Sequence, residues 1–137
     1  MQPGADLPAW IALFTGLYAL AASVGELRAP GSWMAMVEDL ERSPGTRFLV
    51  GIVCMALGAA IYLAIPFQPA LANNDALAVA ISAIGGLAVA EGMLVLAAGD
   101  RFLALSRRMM ASHTGLWAGL SALVGAALLF AALARLE

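Results

Sequence analysis

A single glutamate interrupts a long apolar stretch of the sequence. Glu91 lies within ALAVAISAIGGLAVAEGMLVLAA, residues 76–98, where every other side chain is uncharged. An acidic residue at the centre of a membrane-spanning helix costs about 2.5–3.5 kcal/mol on insertion scales, and such residues usually face protein groups rather than lipid. Glu91 could bind a proton or a cation during transport, or it could pair with a polar group of a neighbouring helix. The predicted partner is Arg47, which lies about one turn into the preceding apolar segment.

The residues around Glu91 predict how its helix packs. On a helical wheel of 100° per residue, four apolar residues flank the carboxylate and small residues lie on the other side. The flanking residues are Ile84, Leu87, Ala88 and Val95, and the small residues are Ser82, Gly85 and Gly86. Small residues allow helices to approach closely. We therefore expect this helix to have neighbours on two faces.

Few other side chains indicate chemistry. His113 is the only histidine and Cys54 the only cysteine, which excludes bis-histidine haem ligation within one chain and an intrachain disulfide. Candidate soft-metal ligands, together with His113, are Met34, Met36, Met93, Met109 and Met110, but methionine is more often packing material. There is no glycine-rich phosphate loop, no His/Glu metal motif and no nucleophile beside a base. We expect no catalytic, cofactor-binding or metal site, and no enzymatic activity.

The composition indicates whether water or lipid surrounds the chain. Of its 137 residues, 63% are hydrophobic and 12% are charged, and the mean hydropathy is +0.91. Soluble domains are about 45–50% apolar and about 25% charged, and a chain this short cannot bury the excess in one water-soluble core. The predicted partner is therefore the lipid bilayer. A net charge of −2 gives no reason to expect nucleic-acid binding.

Four segments are long enough to cross a membrane, which takes about 20 mostly apolar residues. They cover approximately residues 8–25, 44–65, 76–98 and 114–134. Ser43 before Pro44, Asp75 and Ser112 are the predicted N-caps of the last three. The predicted fold class is an all-α integral membrane protein with a single four-helix transmembrane domain over residues 1–137.

The arginines predict the orientation. Six of the seven basic residues lie in or beside the loops after the first and third apolar segments, and Arg135 is the exception. Under the positive-inside rule both loops are cytoplasmic and both termini lie outside the cytoplasm. All seven basic residues are arginine, which together with the abundant Ala and Gly is typical of a GC-rich bacterial genome. The expected location is a bacterial inner membrane.

Each of these two loops contains a short amphipathic pattern. Trp33, Met36, Val37 and Leu40 follow the spacing i, i+3, i+4 and i+7, with charged residues mostly on the opposite face. This spacing predicts a helix along the membrane interface, anchored by those four side chains. The segment DRFLALSRRMMAS, residues 100–112, predicts a second, weaker interfacial helix.

The two halves of the chain resemble each other. Residues 57–65, LGAAIYLAI, align with residues 124–132, VGAALLFAA, at an offset of 67 positions. This similarity suggests a parallel two-fold internal repeat, with halves 8–65 and 76–134 and an axis along the membrane normal.

Small residues at four-residue spacing predict the helix contacts. The predicted helix-packing glycines are Gly16, Gly85, Gly86, Gly115, Gly119 and Gly125. With so little chemistry elsewhere, the expected function is that of an accessory or structural subunit of a larger membrane complex, or of a self-associating bundle. The alternative is a small proton-coupled transporter that uses Glu91.

Overall fold

A computed structural model describes residues 6–137, and the regular secondary structure within them consists of helices. Four helices are long and apolar enough to cross a membrane: α1, α3, α5 and α6. The prediction of an all-helical chain with four such helices is confirmed. The short helix α4 was not expected, because its segment reads as a loop. The helices are α1 (Leu7–Arg28), α2 (Ser32–Arg42), α3 (Pro44–Ala64), α4 (Phe67–Ala72), α5 (Ala76–Met110) and α6 (Thr114–Leu136).

Side-chain caps start three of the long helices. The carboxylate of Asp6 accepts a hydrogen bond from the backbone N–H of Ala9, and that of Asp75 accepts one from Ala78. Ser43 caps α3 in the same way, ahead of Pro44. These contacts satisfy N–H groups that have no partner inside the helix. The Ser112 prediction is wrong: the N-cap of α6 is His113, which makes no side-chain cap bond.

The long helices pack chiefly as two pairs, α1 with α6 and α3 with α5, and α1 also contacts α5. Glycines allow backbone contact within each pair. A Cβ added at Gly16 would lie 2.7 Å from the carbonyl oxygen of Gly125, and one added at Gly58 would lie 2.6 Å from that of Gly85. Gly92 makes the same kind of contact with Gly51. The glycines therefore set the register of both pairs.

The predicted packing glycines lie in different environments. Gly16, Gly85 and Gly125 lie at these backbone crossings, and a Cβ at Gly86 would touch only the ring of Tyr62. In contrast, a Cβ at Gly115 or Gly119 would meet nothing within 4 Å. These last two positions are not helix contacts within the described part of this chain.

At one end of the bundle, α2 and the last part of α5 join the long helices. This end is called the arginine-rich end, because it carries Arg28, Arg42, Arg47, Arg101, Arg107 and Arg108. The backbone of α5 leaves helical geometry at Ala98, two residues before the segment 100–112 that was predicted as an interfacial helix. A second helical stretch then runs from this kink to Met110. Arg107 of this last part forms an ion pair with Glu41 of α2, at 3.6 Å. The two shorter helical segments are thereby linked.

Candidate functional site

Glu91 lies on the outer surface of α5. Its side chain is exposed, and among the described residues it makes no hydrogen bond and no ion pair within 4.0 Å. Its exposed neighbours on α5 are apolar, with Leu87 70% and Leu94 48% exposed. It lies seven residues before the break at Ala98, which is about 10 Å along the helix axis. The carboxylate thus belongs to a surface that is otherwise suited to hydrocarbon.

The predicted pair between Glu91 and Arg47 does not form. The Arg47 side chain lies against α5 at Gly99, where a Cβ would be 2.7 Å from its Cδ atom. Because Gly51 opposes Gly92 in this antiparallel pair, residues before Gly51 oppose residues after Gly92. Arg47 therefore contacts α5 about two turns along the helix from Glu91.

Glu91 is nonetheless close to the contact between α3 and α5. Gly92, the next residue, is buried against α3. Since successive residues of a helix point about 100° apart, Glu91 is turned away from the contact and outward.

A second carboxylate, Glu26, is buried, and its role was missed in the sequence. Its position two residues before Arg28 predicts a solvated pair with that arginine, but Glu26 is only 2% exposed. Its two oxygens accept hydrogen bonds from the backbone N–H groups of Gly31 and Trp33, both at 2.8 Å. α2 has no side-chain cap from its own N-cap, Gly31, which adopts a left-handed conformation (φ 95°). Glu26 therefore caps α2 from the end of α1, a role that an acidic residue shortly before a Pro–Gly turn could have suggested.

The four predicted anchors of α2 differ in environment. Trp33, Val37 and Leu40 are half-buried, whereas Met36 is 56% exposed. Trp33 faces a cavity beneath α2 rather than the exterior alone. The apolar face of α2 thus turns partly toward the bundle.

This cavity is a groove that is open over much of its surface. It has a volume of about 490 Å³ and lies at the arginine-rich end, between α1, α2, α5 and α6. Its walls include the aromatic rings of Trp33 and Trp117 and the side chains of Met109 and Met110. Met109 and Met110, which the sequence left as packing material or soft-metal ligands, therefore line this cavity. Glu91 is not among the lining residues.

At the opposite end, Arg135 joins the starts of two helices. Its guanidinium donates to the carboxylate of Asp6 at 2.9 Å and to that of Asp75 at 2.7 and 3.2 Å. The hydrogen bonds from Arg135, and from the backbone N–H of Ala78, hold the pKa of Asp75 below its ordinary value. Arg135 therefore bridges the two N-caps of α1 and α5.

Within residues 6–137, no group of three or more His, Cys, Asp or Glu side chains is arranged to hold a metal ion. His113 is exposed at the start of α6. No protein-family model matches the chain, and no curated protein or solved structure shows significant similarity to it. The function is therefore inferred from the fold and from the exposed carboxylate of Glu91.

Proposed function

We propose that this chain is an accessory or structural membrane subunit that binds another membrane polypeptide through the exposed face of α5 around Glu91. The supporting observation is that Glu91 is exposed among apolar side chains and has no polar partner within the described chain. The second polypeptide is either a different protein or another copy of this one.

The physical argument concerns hydrogen bonding. Hydrocarbon offers no partner to a carboxyl group, and burying one there without compensation costs several kcal/mol. The apolar residues of α5 can compensate for that cost during insertion, at about 0.3–0.6 kcal/mol for each Leu, Ile or Val. Insertion alone, however, does not explain why the carboxylate faces outward. A hydrogen-bond donor on a neighbouring helix, at the same depth, supplies the missing partner.

The proposal includes the two-fold internal repeat, which burial patterns support. Residues buried in α1 correspond to residues buried in α5 at an offset of 69 positions, and α3 with its C-cap corresponds to α6 at an offset of 67. The first set pairs Ala9, Ala12, Gly16, Ser23 and Glu26 with Ala78, Ile81, Gly85, Gly92 and Val95. The second pairs Gly51, Gly58 and Ile65 with Ala118, Gly125 and Ala132.

The helix caps and helix pairs follow the same relation. Asp6 and Asp75 are N-caps 69 positions apart, and both are held by Arg135. The α1–α6 pair corresponds to the α5–α3 pair. At the same offset Glu91 corresponds to Ala22, so only one of the two related faces carries a carboxylate. A partner that recognises Glu91 would therefore bind one side of the bundle only.

We also propose that the arginine-rich end faces the cytoplasm of a bacterial inner membrane, with both termini outside. Arg28, Arg42, Arg101 and Arg108 are exposed at that end, in agreement with the positive-inside rule. In this orientation α2 and the last part of α5 lie at the cytoplasmic interface as amphipathic segments.

The alternative, a proton-coupled transporter, has less support. Transport through Glu91 requires a polar path that reaches its carboxylate from both sides. The cavity described above has a mainly apolar lining that does not include Glu91. The outward position of the carboxylate favours contact with a second polypeptide.

Native mass spectrometry after purification in a mild detergent tests the proposal. We expect the wild-type chain in a particle heavier than its own 14.1 kDa. Glu91→Leu should release the chain as a monomer, whereas Glu91→Gln, which keeps hydrogen-bonding capacity, should remain associated. Tyr18→Phe is the control, since it removes a hydroxyl from an exposed position on α1 and should change nothing.

A monomeric wild-type chain would contradict the proposal. The same monomer should then be tested for moving protons into the lumen of liposomes in exchange for a solute. If Glu91→Gln abolished this activity without unfolding the chain, the transporter function would be supported instead of the accessory-subunit function.

A further inference from the structure

We infer that the cavity between α1, α2, α5 and α6 binds one acyl chain of a membrane phospholipid. Its volume of about 490 Å³ falls in the range of small-ligand sites, which is about 300–1,000 Å³. The inference is independent of the Glu91 contact, because Glu91 does not line this cavity.

The lining favours hydrocarbon over a polar ligand. The indole N–H of Trp117 already donates to the backbone carbonyl of Met109 at 3.2 Å, and the hydroxyl of Ser106 donates to that of Phe102 at 3.0 Å. Among the lining residues, only the hydroxyl of Ser121 and the indole N–H of Trp33 have no hydrogen-bond partner in the described part of the chain. A ligand with several hydrogen-bonding groups would lose its water partners and gain few in return. A hydrocarbon chain loses no hydrogen bonds.

The shape and flexibility of the walls also suit a chain. Tryptophan rings provide large apolar surfaces, and methionines adapt to irregular ligands. Along α6, the lining runs from Trp117 to Val124, which is seven residues or about 10 Å. The cavity is thus elongated along the helix by about two turns.

The position of the cavity identifies the source of the chain. Trp33 lies in α2 and Trp117 in the first turn of α6, both at the arginine-rich end. Tryptophan is typical of the boundary between lipid headgroups and hydrocarbon. Leu120 and Val124 continue the cavity from that boundary toward the centre of the bundle. A phospholipid could place one acyl chain there while its headgroup stays at the interface.

Photolabelling from the bilayer tests this inference. The purified full-length chain is reconstituted in phosphatidylcholine vesicles that contain a small fraction of phosphatidylcholine with a diazirine in the middle of one acyl chain. After irradiation, labelled peptides are mapped by mass spectrometry. We expect labelling concentrated on residues 106–124, clearly above that of α3 around Leu63, which is also exposed.

Filling the cavity provides the matched comparison. Ser121→Phe should remove most of the labelling on residues 106–124, whereas Ala126→Phe, at an exposed position of the same helix, should leave it unchanged. If Ser121→Phe does not elute as a single folded species, the smaller Ser121→Leu replaces it. Equal labelling of all lipid-facing helices, or unchanged labelling after filling, would overturn the inference. So would a loss of subunit association in Ser121→Phe with unchanged labelling, because a protein would then occupy the cavity.

Discussion

Arg135 and Asp75 form a two-point contact between α6 and α5, with nitrogen–oxygen distances of 2.7 and 3.2 Å. The same arginine reaches Asp6 at the start of α1. Paired N–H donors match the two oxygens of a carboxylate, so this contact is geometrically specific. Arg135 thereby links the C-terminal end of α6 to the N-terminal ends of α1 and α5, at the end of the bundle opposite the arginine-rich end.

Arg135→Met should destabilise the bundle by about 1 kcal/mol, a modest value because all three side chains are partly exposed. Thermal unfolding in detergent measures this loss. In the Arg135→Met background, Asp75→Asn should lower the stability further only by weakening the N-cap of α5. If the two substitutions had fully additive effects, Arg135 and Asp75 would not be coupled.

The lowered pKa of Asp75 predicts a pH dependence. A carboxylate whose pKa is lower in the folded state stabilises that state above its unfolded pKa, about 3.9 for aspartate, and this stabilisation is lost as the pH falls through the folded value. The melting temperature should therefore fall below about pH 4, and the fall should be smaller in Arg135→Met. An identical pH profile for both proteins would contradict this assignment.

Gly58 is the most sensitive helix-packing position. Gly58→Val should destabilise the chain by about 1–3 kcal/mol, the usual range for overpacking, because its Cβ would meet the backbone of α5 at Gly85 and Val89. Gly119→Val is the matched control, since a Cβ there meets nothing within 4 Å. Comparable losses for both variants would show that glycine contacts do not set the α3–α5 distance.

The sequence predicted the four long helices because length and hydropathy determine them locally. It predicted Asp75 as a cap for the same reason, since a cap depends on the next few residues. It did not predict the neighbours of Glu91. A helical wheel gives directions relative to one helix, whereas the offset between Arg47 and Glu91 follows from the register that Gly51 and Gly92 set between two helices.

Glu26 was misread for a related reason. Proximity in sequence suggested a pair with Arg28, but burial and the turn at Gly31 direct its carboxylate to the first N–H groups of α2. The geometry of that turn, with its left-handed glycine, decides the contact. It is not visible in the hydrophobic pattern.

Removing this cap should loosen α2. Glu26→Ala leaves the N–H groups of Gly31 and Trp33 without partners, at a cost of about 1–3 kcal/mol. Hydrogen exchange should become faster at both amides, while Glu38→Gln on the exposed face of α2 should have no such effect. Unchanged exchange in Glu26→Ala would mean that another group caps α2.

The most direct test of the account is to map which helix face touches another polypeptide in the membrane. A photoreactive amino acid is placed at Leu87, one turn from Glu91 and exposed, or at Phe130, exposed on α6. After irradiation of intact membranes, the account predicts a protein adduct from position 87 that disappears in the Glu91→Leu background, and only lipid adducts from position 130. Lipid adducts alone at position 87, with Glu91 intact, would contradict the proposal that this carboxylate marks a subunit contact.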